Sequence, residues 1–258
     1  MEPTCCTGSS PRLHGVDVRV LVLSDIHGNI DALGAVLAAE PNPDRVLCLG
    51  DTVDYGPAPD ATVRWVREHA HAVVRGNHDN AMGLGEDCRS AAPFHRFSVE
   101  TRRRTMPLLT EGERQYLGTL PLRKRLELDG QRIELVHASP SDPLFRYLPP
   151  SSEDEWRREA AGIDADLLVV GHTHLPALVE LGSLRLLNPG SVGLPRNGDP
   201  RASYAVIVDG VPELRKVAYD VGRAIRRLWD IGVPDDVARA IESIYRDGEL
   251  ESPRGPTV

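Results

Sequence analysis

The chain contains the stretch VRVLVLSDIHGN at residues 18–29, in which a short apolar run leads into a polar turn. The apolar residues do not alternate with polar ones, which is typical of a strand buried on both faces. The next apolar residues are spaced as on one face of a helix: Ile30, Leu33, Val36 and Leu37. Pro41 then ends that helix. This order of elements indicates an α/β sheet, in which functional groups gather at the carboxyl ends of the strands.

The same order of elements recurs along the chain. Apolar runs that precede polar loops predict three more strands, at residues 45–49, 72–74 and 167–170. Residues 124–128 and 132–136 form a predicted hairpin around Asp129-Gly130, a dipeptide that favours tight turns between strands. Towards the end of the core, strands are predicted at residues 178–180, 185–187 and 204–209. We expect this late run to place a second sheet against the first.

The chain of 258 residues is expected to fold as a single domain, residues 1–258. Residues 1–15 mix Pro, Gly, Ser and Cys without periodicity and are expected to be a flexible leader. The core is expected at about residues 16–220, with a helical insertion that lacks strands at about residues 81–120. A helical tail is predicted at about residues 221–250.

The composition limits the possible functions. The formal net charge of −8 argues against binding nucleic acid through a general basic surface, although a local positive site is compatible with it. The four cysteines have no CxxC spacing, which favours reduced thiols over disulfides or a zinc knuckle. The first residues lack the apolar segment of a signal peptide, and no apolar stretch reaches the roughly 18 residues of a membrane span. We therefore expect a cytoplasmic protein that binds no membrane.

Each predicted strand end carries a side chain that can bind a metal ion. These side chains are Asp25, His27, Asp51, Asn77, His78, His137, His172 and His174. Each has an ordinary explanation alone, because an aspartate after a strand often caps a helix and a histidine is often a hydrogen-bonded surface or core residue. That explanation fails for the whole set, since histidines such as His69 and His71 do not share the placement. The sequence therefore predicts one site at the strand ends.

The spacing of two ligand pairs supports a common site. Asp25 and His27 are two residues apart, as are His172 and His174, and such residues point in the same direction in extended backbone. Imidazole, carboxylate and carboxamide ligands together suit Mn, Fe, Zn or Ni better than Mg or Ca. The set is too large for one tetrahedral ion, whereas two ions about 3.5–4 Å apart with a shared carboxylate account for all of it.

These motifs, in this order, resemble those of the calcineurin-like metallophosphoesterase superfamily. The matching blocks are SDIHGN at 24–29, GDTVDYGP at 50–57, RGNHD at 75–79, His137, VVGHTH at 169–174 and NPGSVG at 188–193. They span most of residues 18–210 and are most similar to the smaller bacterial phosphodiesterase-type members. The resemblance implies two packed mixed β-sheets flanked by helices, a four-layer αββα fold of the α/β class, with a helical insertion.

The resemblance also assigns roles to the residues. Asp25, His27 and His174 would hold one ion, Asn77, His137 and His172 the other, and Asp51 would bridge both. His78 would protonate the leaving group as general acid, and Asp54 would orient His78. The cofactor would be two divalent transition-metal ions, with Mn favoured and Fe, Zn, Ni or Co as alternatives. A hydroxide bridging the ions would attack a small phosphodiester or phosphomonoester, nucleotides included. Two ions and two aspartates would leave a charge of about +2, which attracts the phosphate.

Two other functions compete with this interpretation. Protein Ser/Thr phosphatases of the superfamily carry an arginine directly after the aspartate that corresponds to Asp54, but Tyr55 stands here. The missing guanidinium removes a bidentate phosphate contact and so argues against a phosphoprotein substrate. A catalytically silent metal-binding scaffold typically loses part of the ligand set and the acid histidine, whereas this chain keeps all of them.

The residues that bind the rest of the substrate are less determined by the sequence. We assign Arg75 and Asn29 to substrate binding, although Arg75 could equally end a strand at the surface and Asn29 could cap the following helix. The turn at residues 188–191 could present backbone N–H groups to phosphate, but an ordinary turn is favoured. The run Arg102–Arg104 is expected to be a solvated helix face, but one of these arginines or Arg96 could select an anionic substrate if the insertion covers the site.

Overall fold

The first predicted strand packs against different partners on its two faces. In the computed structural model, which describes residues 18–250, this strand spans Arg19–Leu23, and four of its five residues are buried. Val20 and Val22 belong to a cluster of buried side chains from two sheets, whereas Leu21 and Leu23 belong to a cluster shared with helices. The unbroken apolar sequence therefore reflects a strand in the interior of a layered fold.

The described residues contain ten strands and eight α-helices. The strands are β1 (Arg19–Leu23), β2 (Arg45–Cys48), β3 (Ala72–Val73), β4 (Arg123–Leu128), β5 (Gln131–Val136), β6 (Leu167–Val169), β7 (Ala177–Leu181), β8 (Leu184–Asn188), β9 (Ala202–Val208) and β10 (Val211–Val217). The helices are α1 (Ile30–Ala39), α2 (Pro59–His69), α3 (Asn77–Leu84), α4 (Phe94–Thr105), α5 (Glu111–Thr119), α6 (Glu153–Ala160), α7 (Val221–Asp230) and α8 (Asp235–Asp247). Among these residues, no helix combines the length and the apolar character that crossing a membrane requires.

The strands form two mixed sheets of five strands each. The first sheet has the order β10-β9-β1-β2-β3, in which β1, β2 and β3 are parallel and β9 is antiparallel to both β1 and β10. The second sheet has the order β4-β5-β6-β8-β7, in which β5, β6 and β8 are parallel. In each sheet, the parallel strands bring their carboxyl ends to one edge, where the connecting loops meet.

The two sheets pack face to face between layers of helices. Between the sheets, Val22 of β1 and Ala205 of β9 lie in one buried cluster with Leu135 of β5 and Val169 of β6. The other face of the first sheet is covered by α1, α2 and α5. The other face of the second sheet is covered by α6, whose Trp156 is buried. This order of layers confirms the predicted α/β fold of two sheets flanked by helices.

One expectation about the sheets is wrong. The late β-rich run does not form the second sheet by itself but is divided between the two sheets, because β7 and β8 join the second sheet and β9 joins the first. The sequence of β9 explains its position, since all but one of its seven residues are buried and such a strand needs cover on both faces. Strand β10 was not predicted, because Pro212 and three charged residues give this edge strand no buried apolar pattern.

The helical segments agree with the sequence prediction. Between residues 81 and 120, the structure has helices and no strand, and α7 and α8 account for the predicted helical tail. Apolar side chains of α7 and α8 pack on Tyr55, on Phe97 of α4 and on Leu194, so the tail reaches loops that also surround the strand ends. The predicted flexible leader at 1–15 lies outside the described residues, and the single-domain organisation stays a prediction.

Candidate metal centre

The loops after β1 and β2 continue the pairing of these strands beyond their ends. Asp25 N donates to the Gly50 carbonyl at 3.0 Å, and His27 N donates to the Asp51 carbonyl at 2.9 Å. A third loop joins from the other side, since Gly193 N donates to the Asp25 carbonyl at 3.0 Å. The backbone that carries the predicted ligands is therefore fixed by hydrogen bonds between loops rather than by the side chains alone.

The ligand pairs do not lie in extended backbone, so this part of the sequence argument is wrong. Asp25 and His27 have φ values of 53° and 47°, and His172 and His174 have φ values of 65° and 62°. Asp51 is also left-handed, with a φ of 55°. The left-handed region costs a non-glycine residue about 1–2 kcal/mol. Such strain persists where surrounding hydrogen bonds over-determine the backbone, and it gathers at functional sites.

The first group of ligands consists of Asp25, His27 and His174. All three side chains are buried, and their nearest ligand atoms lie within 4.8 Å of one another. Asp25 Oδ1 lies 3.1 Å from His174 Nε2 and 3.8 Å from His27 Nε2. The two imidazole Nε2 atoms face each other at 3.2 Å. One carboxylate oxygen and two ring nitrogens thus converge on a common point.

The second group consists of Asp51, His137 and His172, with Asn77 beside them. Asp51 Oδ2 lies 3.3 Å from His137 Nε2. Asn77 Oδ1 lies 3.2 Å from His137 Nε2 and 3.1 Å from His172 Nδ1. The amide orientation of Asn77 follows from its other end, where Nδ2 donates to the Cys88 carbonyl at 2.7 Å. The amide oxygen, rather than the nitrogen, therefore faces the histidines.

Backbone carbonyls fix the tautomers of three of these histidines. Nδ1 of His27 lies 2.9 Å from the Val53 carbonyl and Nδ1 of His137 lies 2.7 Å from the Leu49 carbonyl. Nδ1 of His174 faces the Leu194 carbonyl in the same way. A carbonyl oxygen can only accept, so each Nδ1 carries the proton and each Nε2 presents its lone pair to the site. This arrangement is usual for histidines that bind metal ions.

The protonation states suit the binding of cations. Burial lowers the pKa of His27 to about 3, and burial together with His137 lowers the pKa of His172 to about 3. Burial raises the pKa of Asp51, but His137 and His78 outweigh burial and hold this pKa well below its ordinary value. At neutral pH, His27 and His172 are therefore neutral and Asp51 is ionised, which are the forms that coordinate metal ions. Burial lowers the pKa of His137, but Asp51 outweighs burial and raises this pKa to about 9, so a bound cation would replace a proton on this imidazole.

Asp25 supplies an independent test of whether a metal ion fits. Its Oδ2 accepts hydrogen bonds from the Ser24 hydroxyl and from His172 N, whereas Oδ1 is buried and accepts no hydrogen bond among the described residues. A buried, ionised oxygen without a donor is costly unless a cation satisfies it. Since Oδ1 faces only the lone-pair nitrogens of His27 and His174, a divalent ion fits this donor set.

A separate group of buried side chains surrounds His78. Its Nδ1 lies 2.7 Å from Asp54 Oδ2, and its Nε2 lies 3.1 Å from Ser90 Oγ and 3.4 Å from Tyr55 Oη. Burial lowers the pKa of His78, but Tyr55 and the carboxylates of Asp51 and Asp54 raise it well above its ordinary value. His78 therefore keeps its proton at neutral pH, directly beside the metal ligands.

Comparison with known proteins identifies the family. The family model of the calcineurin-like phosphoesterase superfamily domain matches residues 18–209. The chain belongs to this superfamily. A protein of Methanocaldococcus jannaschii, named as uncharacterized, is 32% identical over 240 residues, which cover 85% of this chain and 96% of that protein. Phosphodiesterase YfcE of Escherichia coli K12 is 29% identical over 206 residues, which cover 75% of this chain and 89% of that enzyme.

A solved structure agrees with this assignment. The crystal structure of a metallophosphoesterase from Sphaerobacter thermophilus matches with a TM-score of 0.77 at 30% identity, over 90% of this chain and all of that one (100%). The chain is thus a metal-dependent phosphoric ester hydrolase with the two-sheet fold of the calcineurin-like phosphoesterases. The predictions of family, fold and enzyme class are confirmed.

In this phosphoesterase, Asp79 holds the two central loops together. Its Oδ2 accepts hydrogen bonds from Asp51 N at 2.7 Å and Gly76 N at 3.1 Å, and its Oδ1 accepts from Thr52 N at 2.8 Å. Asp79 is buried and was not assigned a role from the sequence, although it belongs to the RGNHD block. A carboxylate one turn into a helix is usually a cap, so its contact with the Asp51 loop could not be inferred from spacing alone.

Gly171 lets the loop after β6 approach Asp25, which leads to a prediction. A Cβ atom at residue 171 would lie 2.0 Å from Ser24 Oγ and 2.9 Å from Asp25 Oδ2. We expect Gly171→Ala to displace Asp25, to lower metal content and to cost about 1–3 kcal/mol of the free energy of unfolding. Elemental analysis and thermal unfolding would measure both effects. Gly34→Ala is the matched control, because nothing lies within 4 Å of its added Cβ in α1; equal metal content in both variants would contradict the prediction.

Arg75 and Asn29, the two predicted substrate-binding residues, do not line the cavity that Asp51, His172 and His174 face. The Arg75 guanidinium donates to the Gly118 carbonyl, and Arg75 N donates to the Pro121 carbonyl, so this side chain is turned towards the end of α5. Asn29 Oδ1 accepts from Ala32 N and caps α1, while its Nδ2 donates to the Gly193 carbonyl. The contacts of both residues are structural and give substrate binding no support.

Two other predictions about polar segments have definite outcomes. The turn at residues 188–191 is structural, as favoured, since Ser191 Oγ donates to the Asp25 carbonyl at 2.8 Å.

The arginine run on α4 is not uniform. Arg103 is exposed beside Glu100, but Arg102 is mostly buried and forms a two-point ion pair with Asp54. Arg96 pairs with Asp236 at the surface.

Three of the predicted ligands, Asp51, His172 and His174, line a cavity of about 360 Å³. Its walls come from the strand-end loops, from the segment before α4 and from the loop after β5. The lining residues are Asp51, His78, Arg89, Ser90, Ala91, Ala92, Phe94, Phe145, Tyr147, His172, His174 and Arg196. Arg89 and Arg196 were not singled out from the sequence. Single arginines in loops of unknown path carry no spacing signal that would have found them.

Proposed function

We propose that this phosphoesterase binds two divalent metal ions and hydrolyses a small phosphodiester or phosphomonoester. Asp25, His27 and His174 would hold one ion, and Asn77, His137 and His172 the other. The observation that carries the proposal is the position of Asp51 between both groups, since its Oδ2 lies 3.9 Å from His27 Nε2 and 3.3 Å from His137 Nε2. One carboxylate oxygen facing two sets of ligands suits a bridge between two ions.

The ligand set also determines the local charge. When bound, two divalent ions supply an activated water as nucleophile and neutralise charge on the phosphate. Asp25 and Asp51 are the only carboxylates in the proposed ligand set, so two divalent ions leave a charge of about +2. A local positive charge of this size attracts a phosphate to a chain whose net charge is −8. The mixed nitrogen and oxygen ligands suit Mn, Fe, Zn, Ni or Co better than Mg or Ca.

His78 would act as the general acid. Its Nδ1 donates to Asp54, so the proton available for transfer is on Nε2, which faces the cavity beside Ser90. Transfer of that proton to the oxygen of the leaving group lets this group depart as a neutral alcohol rather than as an alkoxide. General acid catalysis of this kind typically contributes about 10²- to 10⁴-fold in rate.

Asp54 and Arg102 would position His78. Burial raises the pKa of Asp54, but Arg102 and His78 outweigh it and lower this pKa below its ordinary value. The ionised carboxylate then fixes the imidazole ring and balances its positive charge. Arg102 in turn holds the carboxylate through two guanidinium nitrogens, which restricts its orientation.

Replacing Arg102 by glutamine should therefore weaken catalysis without removing the metal ions. We expect kcat for phenyl phosphate, which has a poor leaving group, to fall roughly tenfold. A loss of this size is typical when a residue that holds a functional side chain in place is removed. The fall for p-nitrophenyl phosphate should be smaller, because that leaving group needs less protonation. Arg103→Gln is the matched control, since Arg103 is the next residue of α4 and is 67% exposed. An equal fall for both esters would argue against a role through His78.

The proposed activity can be tested directly. We expect hydrolysis of bis-p-nitrophenyl phosphate or p-nitrophenyl phosphate when the protein is supplied with Mn²⁺, Ni²⁺ or Co²⁺. Comparison of the two esters would establish whether a diester or a monoester is preferred. Absence of hydrolysis of both esters with all three metals would contradict the proposal and favour a metal-binding scaffold. A phosphopeptide hydrolysed as fast as the small esters would favour a protein phosphatase.

A further inference from the structure

Two arginine–phenylalanine pairs line the cavity. The Arg196 guanidinium carbon lies 3.8 Å from the centroid of the Phe94 ring, and that of Arg89 lies 4.3 Å from the centroid of the Phe145 ring. All four side chains line the same cavity as Asp51 and His78. The proposed reaction uses none of them.

The charges of these two arginines are not balanced by carboxylates. Within residues 18–250, neither guanidinium forms an ion pair with an aspartate or glutamate, whereas the nearby Arg102 is paired with Asp54. Arg196 Nε is buried and donates no hydrogen bond to a described residue. A buried N–H without an acceptor is costly, so its presence at a cavity wall indicates an acceptor that arrives with a ligand.

The phenyl rings do not remove this requirement. A ring face attracts a guanidinium electrostatically and fixes its position, but the N–H donors at the rim of the guanidinium stay available. Phe94 is itself held by edge-to-face contacts with Tyr55 at 6.4 Å and Phe97 at 5.9 Å between ring centroids. Arg196 is therefore pre-positioned for an anion, and phosphate oxygens match the planar fork of its donors.

The cavity has room for more than the phosphate that reacts. Its volume of about 360 Å³ equals that of about a dozen water molecules, and it lies within the usual range for small-molecule sites. A phosphate group contains only five non-hydrogen atoms. Tyr147, which is 52% exposed and lies 5.9 Å from the His172 ring between centroids, places a partly exposed aromatic ring at the same site. Exposed aromatic rings suit the stacking of a planar base.

We propose that Arg196 and Arg89, which line the same cavity, bind a second phosphate group of the substrate, and that the substrate class is a nucleotide with two or more phosphates. The inference rests on the proposed function, because the first phosphate is taken to react between the metal ligands. Arg196 lines the same cavity as His172 and His174, so the second phosphate would lie near the one that reacts. The base would lie against Tyr147.

A pair of nucleotides that differ by one phosphate tests this subsite. Isothermal titration calorimetry with Mn²⁺ present would measure the dissociation constants of the 5′-methylenephosphonate analogue of AMP, which has no hydrolysable phosphate ester, and of α,β-methylene-ADP, whose phosphates cannot be separated by hydrolysis. We expect the parent protein to bind the diphosphate analogue at least about tenfold more tightly, as charge-assisted hydrogen bonds from a guanidinium typically provide. In Arg196→Gln this ratio should fall towards one. Arg103→Gln, an exposed arginine on α4, should keep the ratio of the parent.

Further variants separate the possible outcomes. Arg89→Gln should also lower the ratio, and because Arg89 is exposed, this variant tests the subsite even if Arg196→Gln does not fold. Methylenediphosphonate, which has no nucleoside, should bind more weakly than α,β-methylene-ADP, and Tyr147→Ser should reduce that difference. A ratio near one in the parent, or an unchanged ratio in both arginine variants, would overturn the second-phosphate site. Equal binding with and without the nucleoside would overturn the nucleotide class.

The proposed function has a separate readout on the same samples. Hydrolysis of bis-p-nitrophenyl phosphate or p-nitrophenyl phosphate requires no second phosphate, so the absence of both activities would count against the proposed reaction. The ratio of dissociation constants would still decide whether the arginine subsite exists. Conversely, active protein that shows no preference for the second phosphate would retain the proposed reaction and lose the subsite.

Discussion

Replacing His78 by alanine is expected to leave both metal sites filled and to lower kcat for esters with poor leaving groups by about 10²- to 10⁴-fold. The side chain lies outside both groups of proposed ligands. Its contact with the bridging residue is through the backbone, where His78 N donates to Asp51 Oδ1 at 2.9 Å, and alanine keeps that hydrogen bond. The variant should therefore lose proton transfer to the leaving group and little else.

The measurement is kcat for phenyl phosphate and p-nitrophenyl phosphate, with metal content determined on the same preparations. The loss should be larger for phenyl phosphate, because phenoxide is the more basic leaving group and depends more on a proton donor. His95→Ala is the matched control, since His95 is partly exposed on α4 and is paired with Asp87 rather than with the site. Equal activity of parent and His78→Ala on phenyl phosphate would refute the assigned role.

The side chains proposed as ligands could be predicted from the sequence because strand ends are recognisable. An apolar run that stops at Asp25 or Asp51 indicates both the strand and the edge at which it ends, and parallel strands bring such ends together. The backbone conformation could not be found in the same way. The left-handed φ values of Asp25 and His27 depend on hydrogen bonds between loops that are far apart in the chain. The same ligands thus face the site through a different geometry from the expected one.

Long-range contacts also explain what was missed around the site. Arg102 and Arg103 are neighbours with the same side chain, and only the packing of α4 decides that one is paired with Asp54 and the other is exposed. The sequence argument for a substrate contact was stronger for Arg75 than for Arg102. In the structure, however, the Arg75 guanidinium donates to the Gly118 carbonyl. Arg196 lies two residues after Leu194, whose carbonyl orients His174. The path of the loop that carries Arg196 is therefore tied to the position of this proposed ligand. No local pattern encodes these pairings.

Replacing Asp51 by asparagine is expected to lower the affinity for both metal ions, and turnover with it. Asp51 Oδ2 faces both ligand groups, so the loss of its charge affects both sites at once, whereas loss of Asp25 would affect one. Loss of an outer partner of a metal ligand typically costs about 10- to 100-fold in affinity, so loss of the shared carboxylate should cost at least about 100-fold. Elemental analysis after dialysis and calorimetric titration with Mn²⁺ would measure the loss.

The neutral side chain preserves the rest of the loop, which makes this substitution a test of charge rather than of folding. The Asp51 backbone N–H would still donate to Asp79, and an amide oxygen can still accept from His78 N. Asp60→Asn on α2 is the matched control, because it removes one carboxylate whose partner among residues 18–250 is Arg64. If Asp51→Asn retained two ions per chain at the affinity of the parent, Asp51 would not be the bridge. The two ions would then have to be held independently by the histidines and Asp25.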